Sequence, residues 1–367
     1  MPAKQIASSM SFSTLLKPED RVSDQPSLAS LCIRIALMSA LAPVFFPGCS
    51  DPEPSFAEVA VTRSALLPVS AAGAEGSGIR CLDLFFFNDD RLQRLDAYQR
   101  IEGSAGAAAM GASRSGKKIL AVLANSSHDR YDWADIRSLD ALRTKRIRLQ
   151  DEDPSFPLLV ALLPVETTNG RRVQVPLRPF TARIEINSLR CDFSGHPYAG
   201  AQVEDVRLYL TNVNTSVPLL YDTLVTPTEF INVGRLQAHD LEDFLHPEQV
   251  LVSLKDPLGR QTVRPGSVLY CYENTPVETG AGTPPTRLVV EGKLAGEICY
   301  WPIEIGRGAW KPDGVQEGAA AGYAYRYDIT LTRRGLPDPD GRLEPGDLAL
   351  SLTASPWTER PETVIPF

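Results

Sequence analysis

"YAYRYDITL", residues 323–331, sets Tyr323, Tyr325, Tyr327, Ile329 and Leu331 on one side and Arg326, Asp328 and Thr330 on the other. A period of two is the signature of a β-strand with one covered and one wet face. The same logic recurs in both directions along the chain. "FTARIEINSL" (180–189) opposes Ala182, Ile184 and Ile186 to Arg183, Glu185 and Asn187, and "VEDVRLYLTNV" (203–213) repeats it with Val206, Leu208 and Leu210. "VLYCYENTP" (268–276) alternates Val268, Tyr270 and Tyr272 with Leu269 and Cys271, then stops on Glu273, Asn274, Thr275 and Pro276. Polar and helix-breaking residues at a strand end serve turns, so Glu273 and Asn274 are read as structural and not as chemistry.

Further strands extend the series. "FAEVAVTR" (56–63) places Ala57, Val59 and Val61 on one face and Glu58, Ala60 and Thr62 on the other. "CLDLFFFNDD" (81–90) and "KKILAVLANSS" (117–127) are apolar on both faces, as strands buried on both sides are. "LLVALLPVETTNGRRVQVPL" (158–177) reads as two strands around a Thr-Asn-Gly turn. "RLVVEG" (287–292) and "CYWPIEI" (299–305) follow, and "DLALSLTASPW" (347–357) ends the series with Leu348, Leu350 and Leu352 directed inward. The segment between the first two buried strands, and residues 130–145, are compatible with short helices. The expected fold is all-β with short helices, in two antiparallel β-sandwich domains that meet near residue 177.

Composition agrees. The chain has 367 residues, room for about two domains, with 43% hydrophobic and 22% charged residues, which excludes wholesale disorder. Its 30 prolines and 26 glycines lie between apolar runs, as short strands and turns require. The formal charge is −8, and the most basic run, "RTKRIR" (143–148), reads as the polar side of a short helix after "DWADIRSLDAL". Nucleic acid is therefore not an expected partner.

The first residues carry an address. In "CIRIALMSALAPVFFPGCS" (32–50), Arg34 precedes an apolar run from Ile35 to Phe46 that is too short to span a ~30 Å hydrocarbon core. It suits the apolar region of a signal peptide, and Gly48-Cys49 after it resembles a bacterial lipobox with Cys49 as the acylated residue. The plainer alternative is a secretory signal with an incidental cysteine. The residues before Arg34 are unusual for such a signal, so translation starting at Met10 or later stays open.

No catalytic constellation stands out. G-x-S-x-G, H-E-x-x-H and glycine-rich phosphate loops are missing, and the four histidines are dispersed. Cys81, Cys191, Cys271 and Cys299 show no metal-ligand spacing and sit in apolar runs, where buried free thiols are the common case. "DPDG" (338–341) is a turn and not a calcium loop, since the other ligand positions are lacking. Neither a metal, a cofactor nor an enzymatic activity is expected.

The order of "LFFFNDD", "KKILAVLAN", "VPLRPFTARIEI", "VEDVRLYLTNV", "LYCYENTP", "PTRLVVEG", "YDITLTRRG" and "PGDLALSLTASPW" resembles the fimbrillins, the FimA/Mfa-like, lipoprotein-derived fimbrial subunits of Bacteroidales-type bacteria. The resemblance spans residues 49 to 357, and its most specific pieces are the Tyr-x-Glu-Asn-Thr strand end and the stretch around "LPDPDGRLEPG". It implies two transthyretin-like sandwiches, export to the outer membrane as a lipoprotein, trimming by an arginine-specific protease, and polymerisation by strand exchange with other subunits at the cell surface. Four regions follow from it: a signal and extension (1–49), a propeptide carrying the removable first strand (50–63), and sandwiches at 64–177 and 178–367.

Cleavage is then expected between Arg63 and Ser64, although Arg63 also suits a solvated charge at a strand end. The donor is expected to be the strand starting at Leu348, with Leu350 and Leu352 and the tail ending in Val364, Ile365 and Phe367. The bland alternative packs that tail on its own second sandwich. Two other functional classes stay open: a non-polymerising surface lipoprotein (fimbrial anchor or ligand-binding sandwich) and, less in keeping with the residues, a secreted enzyme on a β scaffold. Position in the fimbria and any host or bacterial surface ligand are open as well.

Overall fold

Alternating segments become strands only where their backbone N–H and C=O groups find partners, so the pairings define the architecture. The computed structural model describes residues 54–62, 79–102, 109–126, 129–167, 172–220, 226–275, 283–307, 318–343 and 347–356. The first strands are β1 (Pro54–Thr62), β2 (Cys81–Asn88), β3 (Leu95–Glu102), β4 (Ala109–Arg114) and β5 (Gly116–Ala124). After a short helix, α1 (Leu139–Thr144), come β6 (Arg146–Arg148), β7 (Leu159–Thr167), β8 (Arg172–Pro176) and β9 (Arg178–Pro179). Next are β10 (Thr181–Cys191), β11 (Val203–Thr211), β12 (Val213–Asn214), β13 (Ser216–Pro218), β14 (Phe230–Ile231) and β15 (Leu251–Ser253). The last are β16 (Val268–Tyr272), β17 (Arg287–Leu294), β18 (Glu297–Glu304), β19 (Tyr323–Leu331) and β20 (Leu348–Pro356). The fold is all-β with short helices, as the alternation predicts.

Two sheets come from the first strands. One has the order β3-β2-β5-β7-β9 and the other β4-β1-β8. Between them lies an apolar layer of Leu82, Leu84, Phe86, Leu120 and Val122 from the first, met by Val173 and Val175 of β8. The opposite face of β2 and β5 is covered too: Phe85, Phe87, Ala121 and Leu123 share a core with Trp133 and with Leu139 and Leu142 of α1. Burial on both faces is why these strands carry unbroken apolar runs. Ser138 caps α1, its side chain accepting from the Ala141 N–H at 3.2 Å.

The later strands form β16-β10-β19-β20 and β15-β11-β17-β18. Their facing sides supply Ala182, Ile184, Ile186, Tyr325, Tyr327 and Ile329 on one part and Leu208, Leu210, Leu288, Val290 and Trp301 on the other. Two pairings are parallel, β1 with β8 and β10 with β19; the long ladders otherwise run antiparallel. Gly335 is required beside this core, because a Cβ there would lie 2.6 Å from the Tyr300 carbonyl and 2.8 Å from the Trp301 ring. The Trp301 indole N–H in turn donates to the Arg333 carbonyl at 2.9 Å. "DPDG" is a turn, closed by the Gly341 N–H on the Asp338 carbonyl at 3.3 Å.

Several local readings change. The segment after β2 holds strands β3 and β4 instead of helices; β3 ("LDAYQRIE") is a half-covered edge strand whose residues show little apolar alternation. β7 and β8 flank the Thr-Asn-Gly positions as expected, but they do not pair. β7 lies between β5 and β9, whereas β8 crosses to the other sheet and pairs with β1. The basic run 143–148 splits between the end of α1 and β6, because buried Ile147 draws the second half into a ladder with β13. Leu348, Leu350 and Leu352 stand opposite buried Leu331, Ile329 and Tyr327 of β19, on the core-facing side as expected. Their burial is incomplete: Leu348 and Leu352 are only half-buried and Leu350 is 40% exposed, because β20 is the edge of its sheet and overhangs the core.

The β6–β13 ladder stitches early strands to late ones. Leu149 N–H also donates to the Thr215 carbonyl at 2.9 Å and Leu219 N–H to Lys145 at 2.7 Å. Beside this seam Glu152 is buried, its carboxyl accepting from the Tyr272 hydroxyl and from the Leu158 N–H at 3.3 Å. Burial pushes its pKa from an ordinary 4.5 up to about 7, opposed by those two hydrogen bonds.

The sign follows from linkage. Below pH 4.5 the group is protonated in folded and unfolded chains alike. Between 4.5 and 7 only the unfolded chain releases the proton, so stability falls as pH rises through this window and levels off above it. Replacing Glu152 by Gln should remove that dependence. Urea midpoints at pH 4.5 and 7.5 should show the variant gaining on the wild type by up to about 3 kcal/mol at the higher pH. Parallel profiles for the two proteins would contradict this.

Candidate functional site

β1 is the middle strand of its sheet. It runs antiparallel to β4 over six register pairs, from Pro54 opposite Arg114 to Val59 opposite Ala109. It runs parallel to β8 over five, from Glu58 opposite Arg172 to Thr62 opposite Pro176. β4 and β8 do not pair with each other, so β1 alone satisfies the facing edges of both. The apolar row Val173 and Val175 lies in the inter-sheet layer on the β8 side. A chain segment in the β1 position therefore completes a double ladder, beside a β8 whose Val173 and Val175 reach the inter-sheet layer.

At the other end of the chain, β20 pairs antiparallel with β19 along nine register positions, Tyr323 to Leu331 opposite Pro356 to Leu348. β20 and β1 are both nine residues long. Exposed Leu350 lies between half-buried Leu348 and Leu352, so the donor-strand candidates share one strand that borders solvent. Cys49, Arg63 and Ser64 lie outside the described residues.

The polar end of "VLYCYENTP" is a buried hub. Asn274 is fully buried, and its amide N–H groups donate to the Pro284 carbonyl at 2.9 Å, to Thr286 Oγ1 at 3.0 Å and to the Asn212 carbonyl at 3.4 Å. Its Oδ1 accepts from Thr283 Oγ1 at 3.2 Å, and its backbone exchanges hydrogen bonds with Ala319. Asn214 Nδ2 donates to the Glu273 carbonyl at 2.8 Å. Asn212 and Asn232 hold left-handed backbone at φ 53° and 50°, a conformation that asparagine tolerates. Their side chains bind the Gly234 and Gln237 N–H groups, each at 2.9 Å. The hub joins four connections through groups that need partners once buried, which is a structural role.

Cys81, Cys191, Cys271 and Cys299 are buried free thiols. The Cys81 and Cys191 thiols approach the Ser126 and Leu258 carbonyls at 3.3 and 3.2 Å, and burial pushes the Cys271 thiol up to about 12. Such thiols are poor nucleophiles. Among the described residues no His/Cys/Asp/Glu group has the arrangement of a metal site, and no helix is long and apolar enough to cross a membrane.

No family model matches the chain, and no curated protein matches it by sequence. Solved structures do match. A fimbrilin (FimA) from Porphyromonas gingivalis superposes with a TM-score of 0.63 at 12% identity, over 83% of this chain and 97% of the other. A candidate cell adhesion protein from Parabacteroides distasonis gives 0.59 at 16% identity, over 85% and 98%. The tip fimbrial protein Mfa3 from P. gingivalis, truncated at its C-terminus, gives 0.50 at 11% identity, over 83% and 100%.

The fold is that of the fimbrillins. Within it, the walls of the β1 position were the part that sequence reasoning missed. β4 ("AMGASR") has no apolar alternation to betray it, and β8 ("RVQVP") reads equally well as the second arm of a hairpin. The usable signal was the pair Val173 and Val175, too short a pattern to choose a partner strand. In this fimbrillin fold the Asn274 hub is open to a direct check. Asn274→Ala leaves buried partners unsatisfied and should lower unfolding free energy by about 2–4 kcal/mol, read from urea denaturation. A loss within a few tenths of a kcal/mol would show that the hub is dispensable.

Proposed function

We propose that this chain is a structural subunit of a cell-surface fimbria that contributes to adhesion and has no enzymatic activity. On this reading it is exported as a lipoprotein acylated on Cys49, held at the outer membrane, and cut between Arg63 and Ser64. The cut releases residues 50–63 with β1, leaving sandwiches at 64–177 and 178–367. The Leu348–Thr353 strand and its tail, from the next subunit, then enter the vacated position. The observation that carries the reading is β1 itself, a strand near the proposed cleavage bond that separates two otherwise unpaired strands.

The physical case is direct. Removing β1 bares two rows of backbone donors and acceptors beside an apolar slot, and a donated strand satisfies both. β20 matches β1 in length, and as an edge strand it breaks one ladder when it leaves. A head-to-tail contact of this kind builds an open fibre. The fimbrillin fold of the chain supports the same conclusion.

Labelling cells with a radioactive fatty acid should mark the precursor, and the label should be lost in Cys49→Ala; label retained there would place the lipid elsewhere.

Assembly is tested with a double variant, Leu350→Cys with Val173→Cys, in precursor treated with an arginine-specific protease. The mature chain should begin at Ser64, and oxidation should give disulfide ladders of multimers only after the cut. Crosslinks confined to single chains, or ladders formed equally by uncut precursor, would refute strand exchange. In that case the non-polymerising surface lipoprotein becomes the better reading.

A further inference from the structure

Three side chains with complementary chemistry meet at one end of the inter-sheet layer beneath β1. Asn88 closes β2 and stands directly opposite Lys118 of β5 in the antiparallel register. The Lys118 side chain is 5% exposed, and its Nζ lies 2.6 Å from Asn88 Oδ1. Asp96, on β3 at the register shift of the β2–β3 ladder, is 8% exposed and places Oδ2 3.0 Å from the same Nζ. Alternation puts Asn88 and Lys118 in line with Phe86 and Leu120 of the apolar layer.

The backbone pins each member. Asn88 N–H donates to the Arg94 carbonyl at 2.9 Å, closing the turn, and Asp89 N–H donates to Lys117 at 3.3 Å. Asp96 Oδ2 also accepts from the Arg114 N–H of β4 at 3.0 Å, and the exposed Arg114 guanidinium stands 4.0 Å from Oδ1. An amine, a carboxamide and a carboxyl group are thus held in mutual reach where water is largely excluded. That is an arrangement for intramolecular acyl transfer.

We propose that Lys118 and Asn88 form an isopeptide bond, with Asp96 as the proton-transfer group. The Lys118 ammonium passes a proton to the Asp96 carboxylate, leaving a neutral amine beside a carboxylic acid. The amine lone pair attacks Cγ of Asn88, and the acid hydrogen-bonds to the developing oxyanion. The intermediate collapses as Asp96 gives its proton to Nδ2 and takes one from the now cationic Nζ. The Cγ–Nδ2 bond breaks, Nδ2 departs as ammonia, and the Cγ–Nζ bond remains as an amide with one N–H. The departing ammonia takes the last proton from Asp96 and leaves as ammonium, so Asp96 returns to the carboxylate, and the reaction needs no oxidant, cofactor or second substrate.

The product joins β2 to β5 covalently at the end nearest β4, which leads into β5. If the fimbrial reading holds, β4 is one wall of the donor groove, and load from a neighbour passes through it into β5. The bond itself is independent of that reading, and its test does not involve assembly.

Intact-mass spectrometry of the purified full chain should give a mass lower by one ammonia than the sequence requires. Tryptic digestion should yield a branched peptide joining Asn88 to Lys118. Lys118→Arg and Asp96→Asn should each restore the full mass and abolish the branched peptide. A wild-type chain of full mass, with Asn88 and Lys118 in separate linear peptides, would overturn the proposal. So would an ammonia loss that persists in Lys118→Arg, because a cyclised asparagine elsewhere would then account for it. Should Lys118→Arg fail to fold, the branched peptide of the wild type decides alone.

Discussion

A strand in the interior of a sheet has two edges to satisfy, and this requirement governs the first half of the molecule. β4 and β8 have no ladder with each other; each depends on β1, one antiparallel and one parallel. The layer beneath depends on the same strand indirectly, since Val173 and Val175 reach it from a β8 that β1 holds in place. Nearly every buried backbone group in a stable protein is paired. Whatever removes β1 must therefore be followed by something that replaces it.

Much of this was written in the sequence, and the exceptions have physical causes. The alternation in "YAYRYDITL" and "FTARIEINSL" identified strands that do line the later core. The unbroken runs in β2 and β5 correctly signalled burial on both faces. Alternation reports a strand's faces, however, and says nothing of its edges. The partner of β8 was illegible for that reason, and so was the parallel direction of β10 with β19. β3 and β4 escaped notice because edge and small-residue strands carry few apolar side chains.

The polar residues tell a similar story. Glu273 and Asn274 were legible as structural, since polar strand ends serve turns. Their true reach was not, because Asn274 ties together segments as distant in sequence as Asn212 and Ala319. Glu152 was equally hidden. Nothing local distinguishes it from a solvated acid; only the seam formed by β6, β13 and Tyr272 takes it out of water. Lys118 belongs to the same class, a charged residue at the end of an apolar run whose partners lie on two other strands.

On the strand-exchange reading, the energetic question is what β20 gains by changing places. At home it has one ladder of nine register positions against β19. In the β1 position it would have six against β4 and five against β8, so backbone pairing changes little. A net hydrogen bond contributes only about 1 kcal/mol, so pairing alone does not decide the direction. Side chains decide it. Leu350, 40% exposed at the sheet edge, and half-buried Leu348 and Leu352 would alternate into a slot lined by Val173 and Val175. Full burial of such a side chain contributes on the order of 1.5–3 kcal/mol. Against this stands the uncovered edge of β19, whose Tyr325 and Tyr327 are already seated in the core by hydroxyl bonds to Gly318, Ala320 and Gly306. Because those tyrosines keep their partners without β20, the home sheet can release its last strand more readily than the first sheet can do without its middle one.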